Sequence, residues 1–187
     1  MYKCSPRAFR RKKEFFPLQL KMTVDGSGKL RGDRMMNIQM VESGRMLLAG
    51  YRKNTRFGFN VIEQCWKKMH AGKGSIPDRI NREFLVGLND YARWDTDSEK
   101  QPVFDYYAAS EVERIGALPK GMESRELPAT KYIVFCFRGI KEDSMQPVAD
   151  YIYREWFPQS TCRLNENARY DFVRYGEGTD EDDRSRI

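Results

Sequence analysis

The residues of this sequence that could do chemistry are aromatic rather than nucleophilic. The single histidine, His70, stands beside Lys67 and Lys68 and ahead of Gly72, a helix-end setting that reads as a solvated side chain. With no second histidine and with Cys4, Cys65, Cys136 and Cys162 at unpaired spacings, no metal-ligating set is expected. Gly72-Lys73-Gly74-Ser75 lacks the spacing of a phosphate loop and follows a helix instead of a strand. No catalytic residue and no cofactor are expected. What remains is a set of large flat side chains: Trp66, Trp94, Tyr106, Tyr107, Trp156 and Tyr175. Such surfaces stack on flat ligands, and a ligand cation over them gains about 0.5–2 kcal/mol per contact. Each also has a core reading. Trp66 and Trp156 lie near apolar helix faces, Tyr106 and Tyr107 must point to opposite faces of one strand, and Trp94 sits in the polar stretch Asp90–Asp95 as a lid or a self-packed loop.

The elements that must position these side chains come in a repeated order. Met40-Val41 and Met46–Tyr51 read as an extended strand bent at Ser43-Gly44. Asn60 can cap a helix whose apolar stripe is Val61, Ile62, Cys65, Trp66 and Met69, ended by Gly72, Gly74 and Pro77. Phe84–Leu88 and Phe104–Val112 read as the next two strands. After a linker at Leu118–Met122 the order restarts with strand Tyr132–Phe137. A second helix follows, capped by Asp143 or Ser144, with Pro147 in its first turn, an apolar face of Val148, Tyr151, Ile152 and Phe157, and Pro158 as its stop. Strand Tyr170–Tyr175 comes next, and a last strand either begins at Arg186-Ile187 or is hidden by the acidic stretch before it. In Tyr170–Tyr175, alternation places Asp171, Val173 and Tyr175 on one face. The expected fold is α+β: a duplicated strand-helix-strand-strand unit with pseudo-twofold symmetry, antiparallel sheets and a central ligand cleft, with repeats at 39–117 and 128–187.

Composition limits the partners. The chain has 187 residues, 40% of them hydrophobic and 13% aromatic, enough for one domain with a sizeable core. No apolar run approaches the roughly 18 residues of a membrane span, and the N-terminus has no signal-peptide pattern. The cysteines read as reduced thiols of a cytoplasmic protein. The net charge of +6 is uneven: Lys3, Arg7, Arg10, Arg11, Lys12 and Lys13 crowd the start, and Glu177, Asp180, Glu181, Asp182 and Asp183 the end. A basic arm of that kind is either a solvated flank or a contact for a phosphate backbone. Residues 1–38 read as a basic tail and linker leaning on the 39–187 body, with Pro17 arguing against a central strand and Asp25–Gly28 marking a turn.

With both repeats in view, the chain resembles the GyrI-like effector-binding domains of AraC-type and MerR-type transcription regulators. The carrying residues are Lys131–Phe135 with Arg138-Gly139, then Tyr151-Ile152-Tyr153-Arg154-Glu155-Trp156-Phe157-Pro158, then Tyr170–Tyr175. In the first half they are Val41-Glu42, Leu48-Ala49-Gly50 and Phe104–Ala109. Ser5–Arg11 and Phe16–Leu20 also look like the tail of an AraC-type DNA-binding domain. The resemblance implies a cleft between the two repeats for a flat, hydrophobic, often cationic ligand, with a glutamate of the second repeat facing its charge. Here the run is Phe172-Val173-Arg174-Tyr175, and Val173 stands in the glutamate's place. Asp171 or Glu177 are the replacements within reach, and a neutral ligand becomes as plausible as a cation.

The expected function is therefore effector binding at Trp66, Trp94, Tyr106, Tyr107, Trp156, Asp171, Val173 and Tyr175, regulating transcription through an attached DNA-binding domain, with a homodimer as a further option. A hydrolase of reactive toxins is the alternative. It needs a carboxylate (Glu111, Asp171 or Glu177) in the cleft beside Tyr106 or Tyr175. A protein-binding module is a third reading. RNA binding through Tyr132–Gly139 is a fourth, weakened by the lack of basic residues around those aromatics.

Overall fold

The computed structural model describes residues 19–24, 30–56, 59–94, 103–139, 146–165, 167–178 and 185–186. Its strands, in chain order, are β1 (Gln19–Val24), β2 (Leu30–Ser43), β3 (Met46–Thr55), β4 (Phe84–Asp90), β5 (Phe104–Val112), β6 (Glu123–Leu127), β7 (Thr130–Cys136), β8 (Arg138–Gly139), β9 (Tyr170–Gly176) and β10 (Ser185–Arg186). Helix α1 (Phe59–Gly72) separates β3 from β4 and runs into a 3-10 turn at Lys73–Ser75. Helix α2 starts at Gln146–Asp150, widens into a π turn at Tyr151–Trp156 and closes at Phe157–Gln159.

Five strands form one antiparallel sheet in the order β6-β3-β5-β4-β9, and β1-β2-β7 form another. The pairing exchanges strands between the halves of the chain. β2 of the first half pairs with β7 of the second, β6 of the second pairs with β3 of the first, and β4 pairs with β9. This arrangement bears out the α+β, antiparallel expectation and corrects the strand drawn from Met40 to Tyr51. Ser43 and Met46 belong to separate strands, and the short break between them sends each to a different sheet. The linker reading of residues 19–38 is corrected as well, because β1 and the start of β2 form an antiparallel pair. β1 is an edge strand, the place in a sheet where a nearby proline is tolerated. Pro17 itself, the Asp25–Gly28 turn, the basic arm, and the Asp143 or Ser144 cap lie outside the described residues.

The central strand β5 is buried at nearly every position, which is why apolar residues fall on both its faces, Tyr106 and Ala108 on one and Tyr107 and Ala109 on the other, instead of alternating with exposed ones. One face of the sheet packs Leu47, Ala49, Leu85, Phe104, Tyr106, Ala108 and Val112 against Cys65 and Met69 of α1. The other face gathers Met46, Leu48, Val86, Leu88, Tyr107, Ala109 and Leu127. Burying each large aliphatic side chain of these layers contributes roughly 1.5–3 kcal/mol. A third cluster joins Ile38, Val148 and Trp156 with Ile133, Phe135 and Phe157, so that α2 rests on β7 and β2.

Two helix-end expectations change in detail. α1 begins at Phe59, so Asn60 lies inside the helix and not ahead of it. Pro158 sits within the last helical turn. The π turn before it provides the reason. There the Phe157 N–H bonds to the Ile152 carbonyl, a widened spacing that relaxes the packing of a proline ring on the preceding turn. β10 pairs with β8, placing the last predicted strand at Ser185–Arg186.

Candidate functional site

The strip formed by β4 and β9 lies between the two helices, because α1 packs on β3 and β5 while α2 packs on the β7 side. Register fixes what this strip shows. Leu85 pairs with Tyr175, Gly87 with Val173 and Asn89 with Asp171. Since alternate residues share a face, Asp171, Val173 and Tyr175 line the α1 side together with Gly87, Asn89 and Tyr106. The predicted face of β9 is thus the one turned toward α1, and the strip it forms with β4 is the candidate groove.

Three aromatic side chains meet over Gly87. The Trp66 indole N–H donates to the Tyr106 hydroxyl at 2.8 Å, and the Trp66 ring meets Tyr175 edge-on at a centroid distance of 5.2 Å. Gly87 makes this approach possible. A β-carbon there would lie 2.5 Å from the Tyr106 hydroxyl, 3.1 Å from the Tyr175 ring and 3.2 Å from the Trp66 ring. Burial pushes the Tyr106 hydroxyl well up from its ordinary value, and it pushes Tyr175 up to about 12, with the charge of Asp171 adding to the effect. Both remain neutral hydroxyls.

Asp171 is the polar centre of the groove. Asn89 Nδ2 donates to its carboxylate at 2.7 Å, and the Tyr91 and Tyr153 side chains lie near enough to influence it. All three neighbours are neutral, and among the described residues no ion pair with Asp171 occurs. Desolvation by burial accordingly raises the carboxyl above its usual range, and these polar neighbours oppose that rise without cancelling it. A carboxylate held this way carries its charge in a low-dielectric aromatic setting, where an incoming cation would feel it strongly.

The other carboxylates considered from the sequence do not serve here. Glu177 takes Lys73 at 2.9 Å and Arg79 at 3.6 Å, so its charge is already met. Glu111 pairs with Arg174 at 3.3 Å and Asn81 at 2.6 Å, and the β5 alternation puts it on the face opposite Tyr106.

The eight predicted site residues divide clearly. Trp66, Tyr106, Asp171, Val173 and Tyr175 come together in the groove. Trp94 stands one layer behind, its ring 6.3 Å from Tyr91 and its backbone N–H on the Tyr91 carbonyl. Tyr107 points through the sheet into the opposite core layer, because its neighbour Tyr106 takes the groove side. Trp156 is 8% exposed and packs edge-on against Phe135 at 5.0 Å, so it is a core residue under α2 and not part of the groove. Sequence reasoning missed Asn89, Tyr91 and Tyr153. The first could have been found by extending β4 two residues past Leu88, which brings Asn89 opposite Asp171. Tyr153 carried no such signal, because its direction depends on the π turn. In a widened turn Tyr153 and Trp156 spread further apart around the axis than in an α-helix, so one reaches the groove while the other stays in the core.

Among the described residues no cluster of His, Cys, Asp and Glu could hold a metal ion, and no helix is long and apolar enough to cross a membrane.

Comparison with known proteins agrees with this architecture. The family model described as the GyrI-like small molecule binding domain matches residues 36–187. No curated protein matches the chain. Solved structures do. An integron cassette protein from the mobile metagenome of Vibrio cholerae has a TM-score of 0.52 at 17% identity, with 80% of this chain and 91% of that one covered. SAV2435, solved bound to tetraphenylphosphonium, has a TM-score of 0.56 at 15% identity, with 80% and 90% covered. A candidate bacterial transcription regulation protein from Staphylococcus aureus MU50 has a TM-score of 0.54 at 17% identity, with 80% and 94% covered. At these identities the three structures share the fold.

Proposed function

The chain belongs to the GyrI-like small-molecule binding domain family, and from that premise we propose that its groove binds a flat aromatic cation, with Asp171 as the counter-charge and Trp66, Tyr106 and Tyr175 as the stacking surface. The observation that carries this reading is the half-buried Asp171 carboxylate, which accepts from Asn89 and, among the described residues, pairs with no cation. A charge drawn partly out of water without a counter-ion is costly to maintain, and a ligand cation supplies the partner. A protein of the same fold, SAV2435, was solved with a lipophilic cation, tetraphenylphosphonium, which supports the choice of ligand class.

The wider role we propose is that of a non-catalytic sensor. Ligand capture would alter the packing of the two halves and bias an attached AraC-type DNA-binding domain. The sequence resemblance at Ser5–Leu20 and the fold shared with a candidate transcription regulation protein support it. Calorimetric titration with a panel of aromatic cations and shape-matched neutral compounds tests the binding reading. Saturable binding of cations with weaker binding of the neutral partners is expected, and a panel without any saturable binder would overturn it.

Hydrolysis of a reactive small molecule is the second reading, and one observation favours it. Asp171 lies on the same strand face as Tyr175, whose hydroxyl feels its charge, so a carboxylate and a tyrosine front the same strip, the pair of groups such chemistry needs. Turnover of an electrophilic substrate by the wild type, abolished in Asp171→Asn, would establish that reading over the sensor.

A further inference from the structure

We propose that β7 and β9 flank a slot for one extended peptide strand, supplied by another polypeptide and lying in line with β10. The inference goes beyond ligand capture and does not depend on what the groove binds.

The two strands end their sheets without pairing with each other. β7 closes the order β1-β2-β7 and β9 closes the order β6-β3-β5-β4-β9, so among the described residues each presents one unpaired edge. These edges face each other. The Tyr132 hydroxyl of β7 lies 2.9 Å from the Tyr170 hydroxyl of β9, and the Tyr132 ring meets Phe172 edge-on at 5.3 Å. Tyrosines that meet at their tips hold their backbones further apart than the about 4.8 Å of a paired ladder. Ile133 and Phe135 turn toward α2, so Tyr132 turns away from it by alternation. Tyr170 and Phe172 likewise lie on the sheet face away from α1. The helix-bearing faces of β7 and β9 are thus turned the same way, as in strands two places apart in one sheet.

The other strands say what fits between them. In the first half of the chain β5 runs between β3 and β4. In the second half the corresponding place is marked by β10, which pairs with β8 and touches β9. Ser185 pairs with Gly139 and Arg186 with Arg138, so the line of β10 leads from β8 toward β7. Beside that line lie Thr130–Cys136 and Tyr170–Gly176, seven residues on each side. Both strands are half-buried at nearly every position, whereas β5 is buried. Two facing edges select the occupant. A strand in the sheet of a second folded copy has at least one edge already paired, so only a single extended segment can bond to both sides. Its side chains would alternate between the groove face, beside Val173, and the back face, under the Tyr132–Tyr170 pair. Apolar residues on both faces suit it, as in β5, with a small residue beneath the tyrosines and no proline.

The test takes its probe from the equivalent position: a fluorescein-labelled peptide with the nine-residue sequence of β5, Phe104–Val112, titrated into the full chain beside a scrambled peptide. Fluorescence anisotropy should show saturable binding, about 10-fold or more tighter than for the scrambled control. Hydrogen exchange read by mass spectrometry should slow in Thr130–Cys136 and Tyr170–Gly176 together. Two further peptides carry N-methyl groups on alternate residues, each blocking one backbone edge. Both should bind about 10-fold or more weaker, because both edges are bonded. Absence of saturable binding overturns the slot, as does protection confined to the edge strands β1 or β6. Loss of binding with one methylated peptide and not the other means one-sided addition, and overturns it too. Asp171→Asn keeps the slot apart from the groove. The variant should bind the peptide as the wild type does, and a peptide weakened by this substitution sits in the groove and overturns the slot.

Discussion

Replacing Asp171 by asparagine removes one charge from the groove and little else. Asparagine keeps the volume, and its Oδ1 can still accept from Asn89 Nδ2, now at 2.7 Å from the carboxylate. The Tyr91 and Tyr153 hydroxyls can accept as readily as donate, so the new amide also finds partners. The size of the effect follows from electrostatics. A charge spread over a flat ring system sits about 6 Å from the carboxylate, and at an effective dielectric of about 20 the attraction is about 2.8 kcal/mol. The carboxyl is already partly withdrawn from water in the empty protein, and that desolvation raises its pKa, so binding adds less further desolvation of that group. Cation affinity should fall by about 30- to 150-fold, the equivalent of about 2–3 kcal/mol.

Isothermal calorimetry with an aromatic cation and a neutral compound of the same shape measures this directly. The neutral compound should be held equally by wild type and variant. In the wild type the affinity for the cation should rise with pH, by up to about one log unit per pH unit, until the raised carboxyl value is passed, and then level off. Below that point binding releases a proton, so the apparent heat depends on the buffer's own ionisation heat. Asp171→Asn should show neither the pH slope nor the buffer dependence. Equal losses for the cation and the neutral compound, or no loss for either, would refute the assignment of Asp171 as counter-charge.

Other perturbations test the groove and its supports. Gly87→Ala places a β-carbon 2.5 Å from the Tyr106 hydroxyl, so it should cost about 1–3 kcal/mol of stability and disturb the near-ultraviolet signal of Trp66, read by thermal melting and circular dichroism. Trp66→Phe strips the buried Tyr106 hydroxyl of its 2.8 Å donor and should cost about 1–3 kcal/mol together with ligand affinity. Trp156→Ala opens a cavity under α2 and should cost about 3–5 kcal/mol in denaturant titration, with weaker binding only as far as the fold loosens. The pH dependence of stability should carry the mark of Asp171. Its folded pKa is raised by burial, so its contribution is fully present below the ordinary carboxyl value near about 4 and is lost as pH rises through the folded value. The melting temperature of Asp171→Asn should therefore gain on that of the wild type as pH rises across that window.

Period-two alternation was the part of the site that could be read without coordinates. It fixed the common face of Asp171, Val173 and Tyr175 and the opposition of Tyr106 to Tyr107, and the ladder then settled which tyrosine meets the groove. The strands with strong apolar signals, β3, β4, β5, β7 and β9, were legible for the same reason. β6 was not, since Glu123–Leu127 buries only Leu127 and its order comes from pairing with β3. The path of β2 to β7 was hidden because it is decided by a partner far along the chain. Trp156 misled because helical spacing shows that a residue lies near an apolar stripe, not whether the stripe faces a core or a cleft. Tyr153 was beyond reach because an α-helical projection gives the wrong direction for a side chain in a π turn.

The exchange at position 173 changes where a charge can sit more than whether one sits there. The family resemblance puts a glutamate at that point of β9, and this chain has Val173. A carboxylate two residues earlier keeps the same strand face, because side chains alternate with period two, but it lies about 7 Å further along the strand. Its side chain is also one methylene shorter than glutamate. The charge therefore moves away from Trp66 and Tyr106, which flank Tyr175, toward Tyr91 and Tyr153, and a valine fills the vacated place with apolar surface. A ligand that satisfies both ends must keep its flat apolar part over Gly87 and Val173 and carry its positive charge at one end. An elongated aromatic amine meets both ends, whereas a compact cation with the charge at its centre meets them less fully.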